Sequence, residues 1–281
     1  MIATIPQLKK DMEFNTGLLA LIEVMKNVAV SQYQVLERRL TSGKELFDLL
    51  GSFFDLINLK PLRHPFLTPM SKTVCVVAVT SDAGLLGGLN SQVLSTALEE
   101  VGDQPAKIVI VGERGQMYLR DRRVAFTGFE GIQDDAKQGQ AVRLVDYLAA
   151  ELLRKKIGYL KVIYPRPLSF TQQRIDCLQV VPFVREEKDA KEGPKPESFI
   201  WESHPARLAE YLIRLWMARK FYDIFGLSRL SELAARYIHL EESARKLEKE
   251  QGTLKLKYFR MKHELIDRNM RDLFAARALY G

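Results

Sequence analysis

At 281 residues and 32.2 kDa, with 47% hydrophobic and 27% charged residues, the chain can form one large or two small packed domains and reads as globular. No apolar run approaches the ~20 residues of a membrane-spanning helix. The opening residues, MIATIPQLKKDMEF, carry no signal-peptide hydrophobic core. The net charge of +7 implies an acidic partner, whether nucleic acid, an acidic protein surface or an anionic membrane.

The chain begins with a predicted long helix. Leu18, Ile22, Met25, Ala29, Gln32, Leu36, Arg39, Gly43, Leu46, Leu50, Phe53 and Ile57 follow alternating steps of four and three, and most are apolar. A repeat of about 3.5 residues favours a left-handed coiled coil over a flat globular face. Pro61 and Pro65 stop the helix.

A central α/β segment follows. Strand-like runs occur at 73–80, 107–111, 160–164 and 176–182, and helix-like runs at 90–101, 115–120 and 139–156. Strands alternating with helices predict a mostly parallel sheet with crossover helices. Cys75 and Cys177 sit in apolar strand runs without metal spacing, so both are expected to be buried small hydrophobes in a reducing compartment. Residues 184–197, VREEKDAKEGPKPE, are expected to form an exposed loop.

The C-terminal region repeats the helical seam through Leu230, Leu233, Tyr237, Leu240, Ala244, Leu247, Gln251, Leu254, Tyr258, Met261, Leu265 and Arg268. No proline follows Pro205, and Gly226 and Gly252 are interior breakers that each cost only about 1 kcal/mol. A helix from about 205 to 279, at 1.5 Å per residue, would be on the order of 110 Å long. A globule of this size cannot enclose it, so part must protrude or enter a partner. The two arms are expected to pair antiparallel. The predicted organisation is an N-terminal coiled-coil helix over 1–60, an α/β foot domain over 61–200 and a C-terminal coiled-coil helix over 201–281.

Four features bear on chemistry. The first is the glycine loop Ser81–Asn90, SDAGLLGGLN, directly after the first strand. Ser81, Asp82, Gly84, Gly87, Gly88 and Asn90 stand where an α/β sheet places a phosphate or dinucleotide. The loop lacks the Lys and Ser/Thr of a Walker loop, and its glycine order is GxxGG rather than GxGxxG. Glu113 lies roughly where a ribose-binding acid would sit, yet packing in a tight turn accounts better for the glycines. Second, His64, His204, His239 and His263 form no metal or triad spacing. Third, residues 234–281 hold eleven basic and seven acidic residues, a surplus of four positive charges that fits a rod steered by acidic surfaces. Fourth, the tip Leu273–Tyr280, LFAARALY, is apolar for a chain end. It reads as buried in a sleeve, with packing on the other arm as the plainer alternative.

Together these motifs resemble the γ subunit of F-type rotary ATP synthases. SDAGLLGGLN is similar to that family's SDRGLCGGLN, and Met25–Ser31 to its AMKMVAAS. Gly112–Gly115 resembles its GxKG turn, Thr171-Gln172 and Val180–Pro182 its TQ and LLP, Glu202–Pro205 its EPDP, and Ser231–Arg236 its SEHAAR. Ala83 and Leu86 depart from the loop's Arg and Cys, and Lys262 and His263 stand at the family's Arg-Gln pair. Lysine lacks arginine's bidentate fork, and these departures imply a divergent, alternate-type member.

The resemblance implies a non-catalytic rotor shaft without cofactor or metal, coupling an ion-driven membrane ring to ATP synthesis or hydrolysis on surrounding α and β subunits. It implies that Met25, Lys26, Lys262, His263, Leu273 and Phe274 meet the α/β ring. Phe199, Trp201 and Glu202 would meet the membrane ring of c-type subunits, and a small ε-type subunit would dock on the α/β domain. The implied location is peripheral, on the cytoplasmic side of a prokaryotic inner membrane. Two other readings remain at this point: a nucleotide-binding α/β enzyme with helical arms, and a basic coiled-coil scaffold for nucleic acid.

Overall fold

The computed structural model describes residues 4–40, 50, 53, 54, 63–183 and 204–280. The chain divides into two compact units: Met1–Val30 with Tyr237–Gly281, and Ser31–Arg236. The elements in chain order are α1 (Ile5–Leu40), β1 (Val74–Val79), α2 (Leu89–Val101), β2 (Ala106–Val111), α3 (Glu113–Asp121), β3 (Thr127–Phe129), α4 (Lys137–Leu153), β4 (Tyr159–Pro167), β5 (Gln173–Val181) and α5 (Pro205–Tyr280). The predicted loop at 184–197, and positions 43, 46 and 57 of the N-terminal seam, lie outside the described residues.

In the first unit, α1 and α5 pack antiparallel. Ile22 is buried with Leu240 and Ala244, and Leu18, Leu19, Met25 and Leu247 close over them. Further along, the Gln251 side-chain amide donates to the Met12 carbonyl and the Thr16 hydroxyl, each at 3.1 Å. The predicted seam of α5 is observed: Tyr237, Leu240, Ala244, Leu247, Gln251, Leu254, Tyr258 and Met261 are all at least partly buried. Lys262–Ala275 are all exposed, so Leu265 and Arg268 leave the seam. Among the described residues α1 begins at Ile5.

The seam of α1 needs one correction. Gln32, Arg39 and, beyond α1, Phe53 are exposed, and the buried stripe steps from Ala29 to Tyr33 and Leu36. A straight helix turns every 3.6 residues and drifts off a 3.5 repeat, which lets the two polar side chains stay in water.

The second unit is built on a five-stranded sheet of order β3-β2-β1-β4-β5. β1 runs parallel to β2 and β4, β2 parallel to β3, and only β4–β5 is antiparallel. This matches the expected mostly parallel α/β sheet. Every residue of β1 is buried, as in a strand with both faces covered. Cys75, Val77 and Val79 point to the layer of Leu144, Leu148 and Leu152 on α4 and Met217, Phe221 and Phe225 on α5. Val74, Val76 and Ala78 point the other way, to Val93, Leu94 and Ala97 on α2 and Leu119 on α3. The period of two along the strand sorts the side chains into two cores.

Within this unit the last turns of α1 meet α5 and the β4–β5 turn. Tyr33 and Leu36 are buried with Leu230, Leu233 and Ala234. Tyr33 packs edge-on against Phe170, with ring centroids 4.9 Å apart at 87°. Gly226 is a close-approach residue here rather than a breaker, since a Cβ on it would lie 2.3 Å from a Leu40 methyl.

Two elements of the sequence reading change. β3 went unpredicted because it has three residues and no apolar run; it exists because β2 offers it a parallel edge. Cys177 is exposed, not buried, because it sits on edge strand β5, while Cys75 in the central strand is buried as expected. Burial pushes the Cys75 thiol up to about 12, so it is inert as a nucleophile.

Gly112, between β2 and α3, has φ +100°, and a Cβ there would lie 2.3 Å from the Thr80 carbonyl oxygen. Gly112→Ala is expected to destabilise this unit by at least about 3 kcal/mol, measured by denaturant unfolding. A second prediction concerns Glu151, whose buried side chain accepts from Lys107 at 2.6 Å and lies 3.6 Å from Lys156. The Lys107 hydrogen bond holds its carboxyl below the ordinary 4.5. A depressed carboxylate stabilises above its unfolded value and loses that contribution as pH falls through the folded one. Glu151→Gln should therefore cost about 1 kcal/mol at neutral pH, given solvent screening of the lysine. Its unfolding free energy should also fall less steeply than the parent's below about pH 4.5.

Candidate functional site

The glycine loop leaves β1 and enters α2. Its residues turn inward on one another. Asn90 donates through its amide to the Ser81 hydroxyl at 2.8 Å and accepts from the Ser81 N–H at 3.2 Å, and the Ser81 hydroxyl donates to the Ala83 carbonyl at 2.8 Å. Gly87 takes φ +59°, and Gly88 precedes α2 without any side-chain cap. Leu86 and Leu89 are buried together with Ala235 of α5. The loop is thus pinned between the sheet and the long helix.

The start of the next helix, α3, is capped from the loop. The Glu113 N–H, in the first turn of α3, donates to Asp82 at 2.7 Å, so Asp82 serves that helix start. Gly131 makes room for it, because a Cβ at 131 would lie 2.1 Å from the Asp82 carboxylate. A second carboxylate, Glu113, stands in the same turn. The two carboxylates complement the positive end of the α3 dipole. Thr80 completes the joint, accepting from the Gly115 N–H at 3.2 Å and donating to the Val111 carbonyl at 2.7 Å. Of the six loop residues singled out in the sequence, Ser81 and Asn90 bond one another, while Asp82 turns to Glu113 and Gly84 lies beside Arg114.

Nearby lies a partly buried charge chain that sequence reasoning missed. Arg229 donates to Glu232 at 2.7 Å and stands 3.6 Å from Asp134, which is 3.8 Å from Lys137. Burial pushes the Glu232 carboxyl up against the pull of Arg229 and Arg236, and lowers Lys137 from its ordinary value. Arg229 and Glu232 stand on α5, Asp134 in the turn before α4 and Lys137 at its start, and no local spacing announces the link between Arg229 and Asp134.

The other sequence-predicted residues divide by position. Met25 packs into the inter-helix cluster around Ile22. The Lys26 ammonium lies 2.6 Å from Glu241 and 2.9 Å from Glu23. Lys262, His263, Leu273 and Phe274 are exposed on α5, with Leu273 66% and Phe274 64% accessible. Neither Leu273 nor Phe274 is packed on α1. Phe199, Trp201 and Glu202 lie outside the described residues.

Among the described residues no group of three or more His, Cys, Asp or Glu could hold a metal ion. His64 meets Glu210 at 3.3 Å, and the His204 ring accepts from the Ala206 N–H at 3.3 Å. A groove of about 560 Å³ between α4 and α5, lined by residues such as Val142, Val145, Tyr211 and Leu215, contains no glycine-loop residue. No helix among the described residues is long and apolar enough to cross a membrane.

If Asp82 is a helix cap rather than part of a ligand site, Asp82→Ala should cost about 1 kcal/mol in unfolding free energy. It should leave calorimetric titration with ATP or NAD flat, as in the parent.

Comparison with known proteins agrees with this geometry. A family model described as ATP synthase matches residues 8–278. The chain is 25% identical over 211 residues to an ATP synthase gamma chain of Clostridium beijerinckii, covering 74% of this chain and 72% of that one. It is 23% identical over 274 residues to one of Opitutus terrae, covering 90% and 91%. In fold it resembles a chain from the OSCP/F1/c-ring structure of the Euglena gracilis mitochondrial ATP synthase, with a TM-score of 0.69 at 14% identity, covering 98% of this chain and 93% of that one. The family match spans both helical arms and the sheet between them, so the chain belongs to the ATP synthase family, as a gamma-type, non-catalytic chain.

Proposed function

We propose that this chain is the central rotor shaft of a rotary ATP synthase, carrying rotation between an ion-driven membrane ring and the α and β subunits that turn over ATP. The observation that carries this reading is the surface of α5 beyond Met261. Leu265, Ile266, Met270, Leu273 and Phe274 are each 46% to 66% exposed along a helix that no second helix covers among the described residues. So large a set of exposed apolar side chains on one rod marks a surface that a partner encloses.

A sleeve of α and β subunits supplies that enclosure. On α1, Phe14, Leu21, Val24 and Val28 add further exposed apolar positions for the same surroundings. Lys246, Lys249 and Lys257 line one shallow face of α5 with Leu254, giving a positive surface for acidic walls. Lys262 and His263 sit on the same exposed stretch and would contact the enclosing subunits there. Phe199, Trp201 and Glu202 are the proposed contact with the membrane ring's c-type subunits, and an ε-type subunit would dock on the α/β domain. The shaft would work at the cytoplasmic face of a prokaryotic inner membrane, in keeping with the bacterial origin of its relatives. Division of labour along the chain would follow its three segments, 1–60 and 201–281 as the shaft and 61–200 as the foot.

Binding inside a ring changes each catalytic site in turn only if the shaft presents a different face to each, a coupling free energy between sites. The chain itself needs no catalytic group for that. Purified alone, it should hydrolyse no ATP. Mixed with α and β subunits it should copurify with them and confer rotation-coupled ATPase activity. Native purification that recovers it without any α or β subunit overturns the reading. Because Phe274 is exposed, Phe274→Asp should change the unfolding free energy of the isolated chain by no more than about 0.5 kcal/mol. The same variant should reduce the ATPase activity of the reconstituted complex.

A further inference from the structure

Lys26 is the sharpest electrostatic contact between α1 and α5 in the first unit. Its ammonium lies 2.6 Å from Glu241 on the facing helix and 2.9 Å from Glu23 one turn back on its own. The side chain is only 12% exposed, and its ammonium stands 5.7 Å from the centre of the Tyr237 ring. Glu241 is held in turn by Arg245 at 3.2 Å. The two carboxylates, Glu241 foremost, raise Lys26 well above its usual range, so the charge is permanent at any working pH.

The neighbouring seam cannot do what this contact does. Met25, Ile22, Leu240 and Ala244 bury apolar surface, and apolar burial is non-directional. Such a seam resists separation more than it resists sliding or rolling, because a slip that matches apolar side chains again restores most of the contact. A charged group flanking the seam, aimed at one partner, specifies register instead. Lys26 comes directly after seam residue Met25, and Glu241 directly after seam residue Leu240, which places both on the flank.

We propose that Lys26 is a positioning residue that locks the register of the two shaft helices through Glu241, so that torque on one helix is carried by the other, rather than a contact directed outward at the enclosing subunits. The clamp rests on the rotor function proposed for the chain. The charge that would meet a surrounding carboxylate is already engaged by Glu241 and Glu23, and the cationic head is shielded by Tyr237.

The test is a double-mutant cycle in the assembled membrane complex, with Lys26→Met, Glu241→Gln and both together. The readout is the coupling ratio, ions transported per ATP hydrolysed, alongside assembly. A parent complex that fails to assemble or couple refutes the rotor reading, an outcome distinct from any change confined to the variants. With a clamp, each single variant lowers the coupling ratio by roughly two- to five-fold, the size expected of a partly exposed ion pair. The double variant is no worse than either single, because both remove the same contact. Lys26→Arg, which keeps the charge and hydrogen bonds, should couple within about two-fold of the parent. The clamp is overturned if Glu241→Gln couples like the parent while Lys26→Met does not, or if the two losses multiply. It is equally overturned if Lys26→Met couples normally. Should Lys26→Met fail to assemble, Glu241→Gln decides alone: reduced coupling in an assembled complex supports the clamp, and parental coupling refutes it.

Discussion

Beyond the sheet, the apolar stripe of each long helix is buried against the other helix. That constraint organises α1 and α5. An isolated helix is marginal in water, and most helical stability in proteins comes from packing an amphipathic face. Here Ile22, Leu240 and Ala244 supply the face in one unit, and Tyr33, Leu36, Leu230 and Leu233 in the other. Where α1 ends at Ile5 the burial ends too, and α5 runs on with every side chain from Lys262 to Ala275 exposed.

The glycine loop illustrates how a motif's location and its chemistry separate. A strand that feeds a glycine-dense turn and a helix is the standard address of a phosphate. In this chain the loop's polar and apolar groups serve the fold: Asp82 accepts from the Glu113 N–H at the start of α3, Gly131 gives it room, and Leu86 and Leu89 are buried with Ala235. The same small residues that would admit a ligand admit the chain's own side chains. What looked like the mouth of a nucleotide site joins the sheet to the long helix.

Charged contacts then add what apolar packing lacks. Arg229 joins Glu232 and stands near Asp134, and Lys26 joins Glu241. Hydrophobic burial fixes how much surface is covered, whereas an ion pair fixes which groups face each other. For a mechanical element that distinction matters, since a shaft must hold its shape under load as well as remain folded.

The helical seams, the alternation of strands and helices and the family motifs are all local patterns, so the sequence alone was enough to determine them. The α5 seam is a clear instance: eight successive predicted positions, Tyr237 to Met261, are at least partly buried. Positions that depend on a neighbour distant in sequence were not legible. Gln32 and Arg39 left the α1 stripe because a straight helix drifts off the heptad, and β3 exists only because β2 offers an edge. Cys177 is exposed because strand order puts β5 at the sheet's border. Glu241 gave one faint signal, its place beside the seam, but only the pairing of α1 with α5 brought Lys26 to it. Periodicity is written in the spacing of residues along one element. The partner of a side chain is decided by which two elements pack, at what register, and tertiary structure alone decides that.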